Sequence, residues 1–169
     1  MTFAPPTTYI IRHRRENLKK CSLTGLENHP DLLFFTYPQE SLPPIENMIV
    51  LKVGAPALSI KDQNFPLLLI DATWRLAETI EKTIPKNLEA RSLPSHFRTA
   101  YPRKQTACPN PIEGLASIEA LYIAHLLLGR STKNLLDRYY WKNSFLKLNS
   151  LIENSEDESP HFSTARQSQ

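Results

Sequence analysis

Apolar residues in the first half of the chain come in short blocks separated by polar or proline-containing stretches, a pattern of strands rather than of long helices. Thr8 to Ile11, Leu33 to Tyr37, Met48 to Val53 and Leu67 to Ile70 each read as a short strand, and Glu89 to Leu93 as a fifth. The block Leu67-Leu68-Leu69-Ile70 is uninterrupted and follows Pro66, which suits a strand covered on both faces of a parallel sheet. It stops at Asp71. Thr73 is then placed as N-cap of a helix from Trp74 to about Thr83, with Leu76, Ala77 and Ile80 inward and Glu78, Glu81 and Lys82 outward. Between the first two strands, Glu16 to Leu26 reads as a helical turn and a loop; Pro38 to Pro44 and Gly54-Ala55-Pro56 break the later elements.

Beyond Pro94 the period changes. A loop holding Pro102, Pro109 and Pro111 leads into Leu115 to Leu128, which is apolar almost all round and closed by Gly129, as expected of a buried helix with a glycine C-cap. Ser131 is placed as cap of a long amphipathic helix, Thr132 to Ile152, burying Leu135, Leu136, Tyr139, Leu146 and Ile152. The predicted fold class is therefore α/β: a small parallel-sheet lobe over residues 1–93, an all-helical lobe over 94–152, and a disordered acidic tail over 153–169.

With 169 residues and 41% hydrophobic content the chain can bury a real core. No apolar run approaches the about 20 residues of a membrane helix, and Met1 to Thr8 lacks the regions of a signal peptide. A cytoplasmic protein with no membrane partner is expected, and a monomer. Cys21 and Cys108 cannot build a disulfide framework, and His13, Cys21, His29 and Cys108 match no ligand-pair spacing, so no metal is expected.

The net charge of +3 understates the body of the chain, because Glu153, Glu156, Asp157 and Glu158 lie beyond Ile152 with only Arg166 against them. Arg12, Arg14, Arg15, Lys19 and Lys20 cluster near the start, and Arg91, Arg98, Arg103 and Lys104 flank the middle, with Phe97 and Tyr101 interleaved. Cations neutralise phosphates and aromatic rings stack on unpaired bases, so these segments point to RNA, with an ordinary solvated face as the alternative. Asp71, at the carboxyl end of a buried strand, sits where ligands bind in open α/β sheets. The competing reading is that Asp71 and Thr73 only cap a helix while Trp74 packs in the core.

Five segments in order resemble one family: Lys19-Lys20-Cys21-Ser22, Leu69-Ile70-Asp71-Ala72-Thr73-Trp74, Ser92-Leu93-Pro94, Ala116-Ser117-Ile118-Glu119-Ala120-Leu121, and Tyr140-Trp141-Lys142-Asn143-Ser144-Phe145-Leu146-Lys147-Leu148-Asn149. The chain resembles the DTW-domain aminocarboxypropyltransferases, and most of all the branch acting on small-subunit ribosomal RNA. The resemblance implies a co-substrate, S-adenosylmethionine, whose 3-amino-3-carboxypropyl group goes to a uridine-type base, leaving methylthioadenosine. It also implies a SPOUT-like knotted cofactor site. Carried over by position, Asp71 and Trp74 line the amino acid moiety and Ser22 lies near its carboxylate. The loop from Leu93 to Tyr101 holds the adenine, and Ser117 opens a helix beside the pocket. The chain departs from the ribosomal branch at Tyr101-Pro102 and at Thr73, the latter as in the transfer RNA branch; it lacks that branch's N-terminal cysteine cluster. Ribosomal RNA is the expected partner, with transfer RNA as the alternative. Two further readings are a non-catalytic RNA-binding or ribosome-assembly factor, and a knotted methyltransferase.

A sulfonium has three carbons open to attack, and the group transferred is the one held in line with the nucleophile. Asp71 either pairs with the ligand's ammonium or takes the proton from the base N–H. Trp74 offers an indole N–H and a ring face for the cationic centre. Glu119 is either a catalytic carboxylate or one favoured by the start of a helix. Trp141, Phe145 and Asn149, four residues apart, read as packing.

Overall fold

The computed structural model describes residues 7–39, 41–102 and 114–151. Within these residues, five parallel strands form one sheet in the order β2-β1-β4-β3-β5: β1 Thr8–His13, β2 Leu32–Tyr37, β3 Ile49–Leu51, β4 Leu67–Asp71 and β5 Glu89–Arg91. Among the described residues, three α-helices accompany it: α1 Trp74–Glu81, α2 Ser117–Leu127 and α3 Lys142–Leu148. Among the described residues, no helix is long and apolar enough to cross a membrane.

Because successive side chains on a strand point to opposite faces, the two central strands feed two cores. Ile11 and Leu68 meet Met48 and, from the α1 side, Ile80 and Ile84. Ile10 and Leu69 meet Leu121, Tyr122, Leu135, Leu136 and Phe145 on the other face. Both faces are thus buried, which is why β4 is written as an unbroken apolar run. The second core joins residues on both sides of position 93 into one packed unit.

α2 is covered all round, and its end is a Schellman motif. Arg130 N–H donates to His125 O at 2.8 Å and Gly129 N–H to Leu126 O at 3.2 Å, with Gly129 at φ +65°. The fifth strand is shorter than expected, since after Arg91 only an isolated bridge, Ala57 to Ser92, continues the pairing.

The long helix expected from Thr132 to Ile152 does not form. Asn134 takes φ +63°, a left-handed conformation that a helix cannot carry, and Leu135 and Tyr139 make i→i+3 turns to Thr132 and Leu136. Helical i→i+4 bonding starts at Trp141 and lasts to Leu148. Leu135, Leu136, Tyr139 and Leu146 are nevertheless buried, as expected from their apolar character; Ile152 and the tail lie outside the described residues.

Candidate functional site

β1 and β4 are the central pair, and from their carboxyl ends the chain departs in opposite directions, β1 to β2 on one side and β4 to β5 on the other. Such a divergence opens a crevice at the carboxyl edge. The last registered pair there is Arg12 with Asp71.

Both side chains are buried, Arg12 at 7% and Asp71 at 5% exposure. Arg12 Nε donates to Asp71 Oδ2 at 3.1 Å, and Cys21 Sγ donates to the same oxygen at 3.0 Å. A second guanidinium nitrogen donates to Glu27 Oε1 at 3.2 Å, and the guanidinium lies 4.9 Å from the centre of the Phe34 ring. Arg12 was expected among the RNA-binding cations. It is instead the counter-ion of Asp71, because the parallel register puts its side chain on the same covered face. Burial alone would lower the Arg12 guanidinium, but the facing Cys21, Asp71 and Glu27 outweigh it and hold it above its ordinary value. Burial, followed by the charge of Asp71, pushes the Cys21 thiol up to about 11.

Three segments converge beside this pair. Ser22 Oγ accepts the Ile118 N–H at 3.1 Å, so it supplies from a distant loop the cap that Ala116, at the N-cap position of α2, lacks. An oxygen that accepts in this way retains its O–H as a donor. Glu119, fully buried, accepts from Thr99 Oγ1 at 2.6 Å, Ala100 N at 2.8 Å and Ala116 N at 2.8 Å. It ties the 99–101 loop to the start of α2, a structural role beyond its expected liking for a helix start. Tyr101 Oη donates to Lys20 O at 3.2 Å, closing the circle back to Cys21 and Ser22. Ser117, half-buried, is the first residue of α2, and Leu93 packs against the cores.

Trp74 is 44% exposed at the first position of α1 and does not pack in the core. Thr73 occupies the N-cap position without a side-chain cap bond; its own N–H is taken by Glu16 Oε1 at 2.6 Å. Asp71 is no helix cap either, being held on Arg12 and Cys21.

Arg14, Arg15, Lys19 and Lys20 follow β1, and all four are exposed. Arg98 is exposed too, on a backbone gripped by Asn149: Arg98 N donates to Asn149 Oδ1 at 2.7 Å and Asn149 Nδ2 to Arg98 O at 2.8 Å. Arg103 and Lys104 lie outside the described residues. Phe97, expected between the cations, is 4% exposed and belongs to the core, and Arg91 is engaged by Asp62 at 3.3 Å and Glu89 at 3.0 Å.

A second polar cluster, at the opposite edge of the sheet, went unpredicted. His125 Nδ1 faces Ser131 O at 3.0 Å and must donate to it, so Nε2 accepts from Thr8 Oγ1, 2.8 Å away. Arg130 donates to Gln63 O and Phe65 O, pinning the turn before β4. The one signal in the sequence was a lone histidine within an apolar helix, since a buried polar group needs partners.

No protein-family model matches the sequence, and no curated protein does. A solved structure matches it: the SAM-dependent rRNA:acp-transferase Tsr3 from Vulcanisaeta distributa, at a TM-score of 0.65 and 23% identity, over 86% of this chain and 79% of that one. The two chains share a fold. The likeness to Tsr3 runs through most of the chain.

Proposed function

We propose that this protein transfers the 3-amino-3-carboxypropyl group of S-adenosylmethionine to a uridine-type base of small-subunit ribosomal RNA, releasing methylthioadenosine. The observation that carries the proposal is Asp71, a buried carboxylate fixed by Arg12 at the crevice of a fold shared with Tsr3, an enzyme described as an SAM-dependent rRNA:acp-transferase. The residues present suit that co-substrate. Its ammonium fits an oriented carboxylate, its carboxylate fits a hydroxyl donor such as Ser22, and its cationic sulfur fits the exposed face of Trp74.

In this reading Asp71 is an orienting anion. Its Oδ2 is already held by two donors, so the side chain is locked in place, as is needed to present one carbon of the sulfonium and not another. Leu93 to Tyr101 would frame the adenine, on a loop held by Glu119 and Asn149, and Ser117 would border the pocket. The Asp71-Ala72-Thr73-Trp74 segment is assigned as a DTW motif and the site as SPOUT-like and knotted, with residues 1–93 and 94–152 as lobes of one unit. Arg14, Arg15, Lys19, Lys20 and Arg98 are assigned to the RNA, and the protein to the cytoplasm as a monomer.

The test is incubation of the purified protein with S-adenosylmethionine and unmodified RNA, with small-molecule products read by mass spectrometry. Methylthioadenosine is expected. S-adenosylhomocysteine would replace the proposal with methyl transfer, and neither product, on pre-ribosomal particles as well as naked RNA, would leave a binding factor. Separating ribosomal from transfer RNA before nucleoside analysis decides between the two substrates.

A further inference from the structure

The most exposed aromatic side chain among the described residues is Tyr140, at 86%. It meets Trp141 edge-on at 5.0 Å between centroids and 74° between planes; Trp141 in turn meets Tyr101 at 5.1 Å and Tyr139 at 6.0 Å, again edge-on. Edge-to-face packing leaves a ring face open. Tyr101 reaches the backbone of Lys20, so the cluster is continuous with the exposed cations Lys19 and Lys20, and through them with Cys21 and Asp71. α3 braces the same loop at both ends, by Trp141 against Tyr101 and by Asn149 on the backbone of Arg98.

We infer that Tyr140 is a stacking platform for an unpaired RNA base next to the nucleotide that enters the crevice, with Lys19, Lys20 and Arg98 neutralising the flanking phosphates. The inference rests on the RNA reading above. An open π-face beside separated cations is the arrangement that single-stranded nucleic acid recognises, whereas a duplex hides its base faces. Of the two aromatics interleaved with the central cations, Phe97 is buried and Tyr101 is edge-packed, so neither fills this role.

The test compares the full-length protein with its Tyr140→Ala, Tyr140→Phe and Tyr140→Trp variants. Fluorescence anisotropy would follow a labelled hairpin with a seven-uridine loop and, separately, a fully paired RNA duplex. Tyr140→Ala should weaken the hairpin by about tenfold and leave the duplex unchanged, whereas Phe and Trp should bind the hairpin as the parent does. A hairpin affinity unchanged in Tyr140→Ala, or an equal loss on both RNAs, would overturn the platform while the RNA reading stands. A parent protein that binds neither RNA at low salt would remove both. Because Tyr140 is so exposed, the alanine variant should keep the parent's thermal melt, which removes misfolding as an explanation.

Discussion

Arg12 and Asp71 stand side by side on the two central strands, 59 residues apart in sequence, with Arg12 Nε 3.1 Å from Asp71 Oδ2. Breaking such a buried pair strands one charge, whereas replacing both members with apolar residues does not. Arg12→Met or Asp71→Ala alone should therefore cost about 3 kcal/mol in chemical denaturation, and the Arg12→Met/Asp71→Leu double variant should regain most of it. All three should lose transfer activity. Asp71→Asn should also be destabilised, though less. A double variant as unstable as the singles would show that the pair does more than compensate charge.

The Cys21 thiol, raised to about 11 by burial and by Asp71, should react slowly with a disulfide reagent at pH 8. Cys108→Ser would leave Cys21 as the sole reporter. Its modification should accelerate in Asp71→Asn, where the neighbouring negative charge is gone; a rate like that of a free thiol in the parent would contradict the buried cluster.

Burial lowers the His125 imidazole from its ordinary 6.5 to about 4, against the favourable bond to Ser131 O. The unfolded chain then binds a proton at a pH where the fold does not, so stability is full above about pH 6.5 and falls as the pH drops toward 4. That loss should approach about 3 kcal/mol. In His125→Gln, urea denaturation at pH 7 and pH 4.5 should differ by about 2 kcal/mol less than in the parent. An identical pH response would clear His125 of the effect.

Gly129 holds φ +65° at the end of α2, and a Cβ there would lie 3.0 Å from Ile60 Cδ1. Gly129→Ala should lower stability by about 1 to 2 kcal/mol from the left-handed backbone, measured by thermal melt, with co-substrate affinity unchanged.

Arg14, Arg15, Lys19 and Lys20 replaced by Gln should weaken RNA binding and flatten its dependence on salt, by about 0.7 to 0.9 in log–log slope for each phosphate no longer neutralised. Affinity for S-adenosylmethionine should not move. An unchanged slope would place the RNA surface elsewhere.

The five strands, the helix opening at Trp74 and the buried helix ending at Gly129 were legible because each depends on residues close in sequence: apolar runs, a proline before a strand, a glycine after a helix. So was the placing of Asp71 at a strand end. The helix expected over Thr132 to Ile152 was not, since its apolar spacing suits turns as well as helix, and Asn134 and Ser150 at positive φ interrupt it at either end. Arg12 was illegible for a related reason: a cation beside Arg14 and Arg15 looks like one of them until the sheet register turns it inward.

The sequence by itself determined where the chain is extended, where it coils, and which carboxylate ends a buried strand, because backbone preference and side-chain period are local properties. Tertiary structure alone decided that Arg12 and Cys21 hold that carboxylate, that Ser22 caps a helix begun 95 residues later, and that Tyr140 rather than Phe97 faces solvent. Those are outcomes of strand order and packing, in which each side chain's neighbours are fixed by segments distant along the chain.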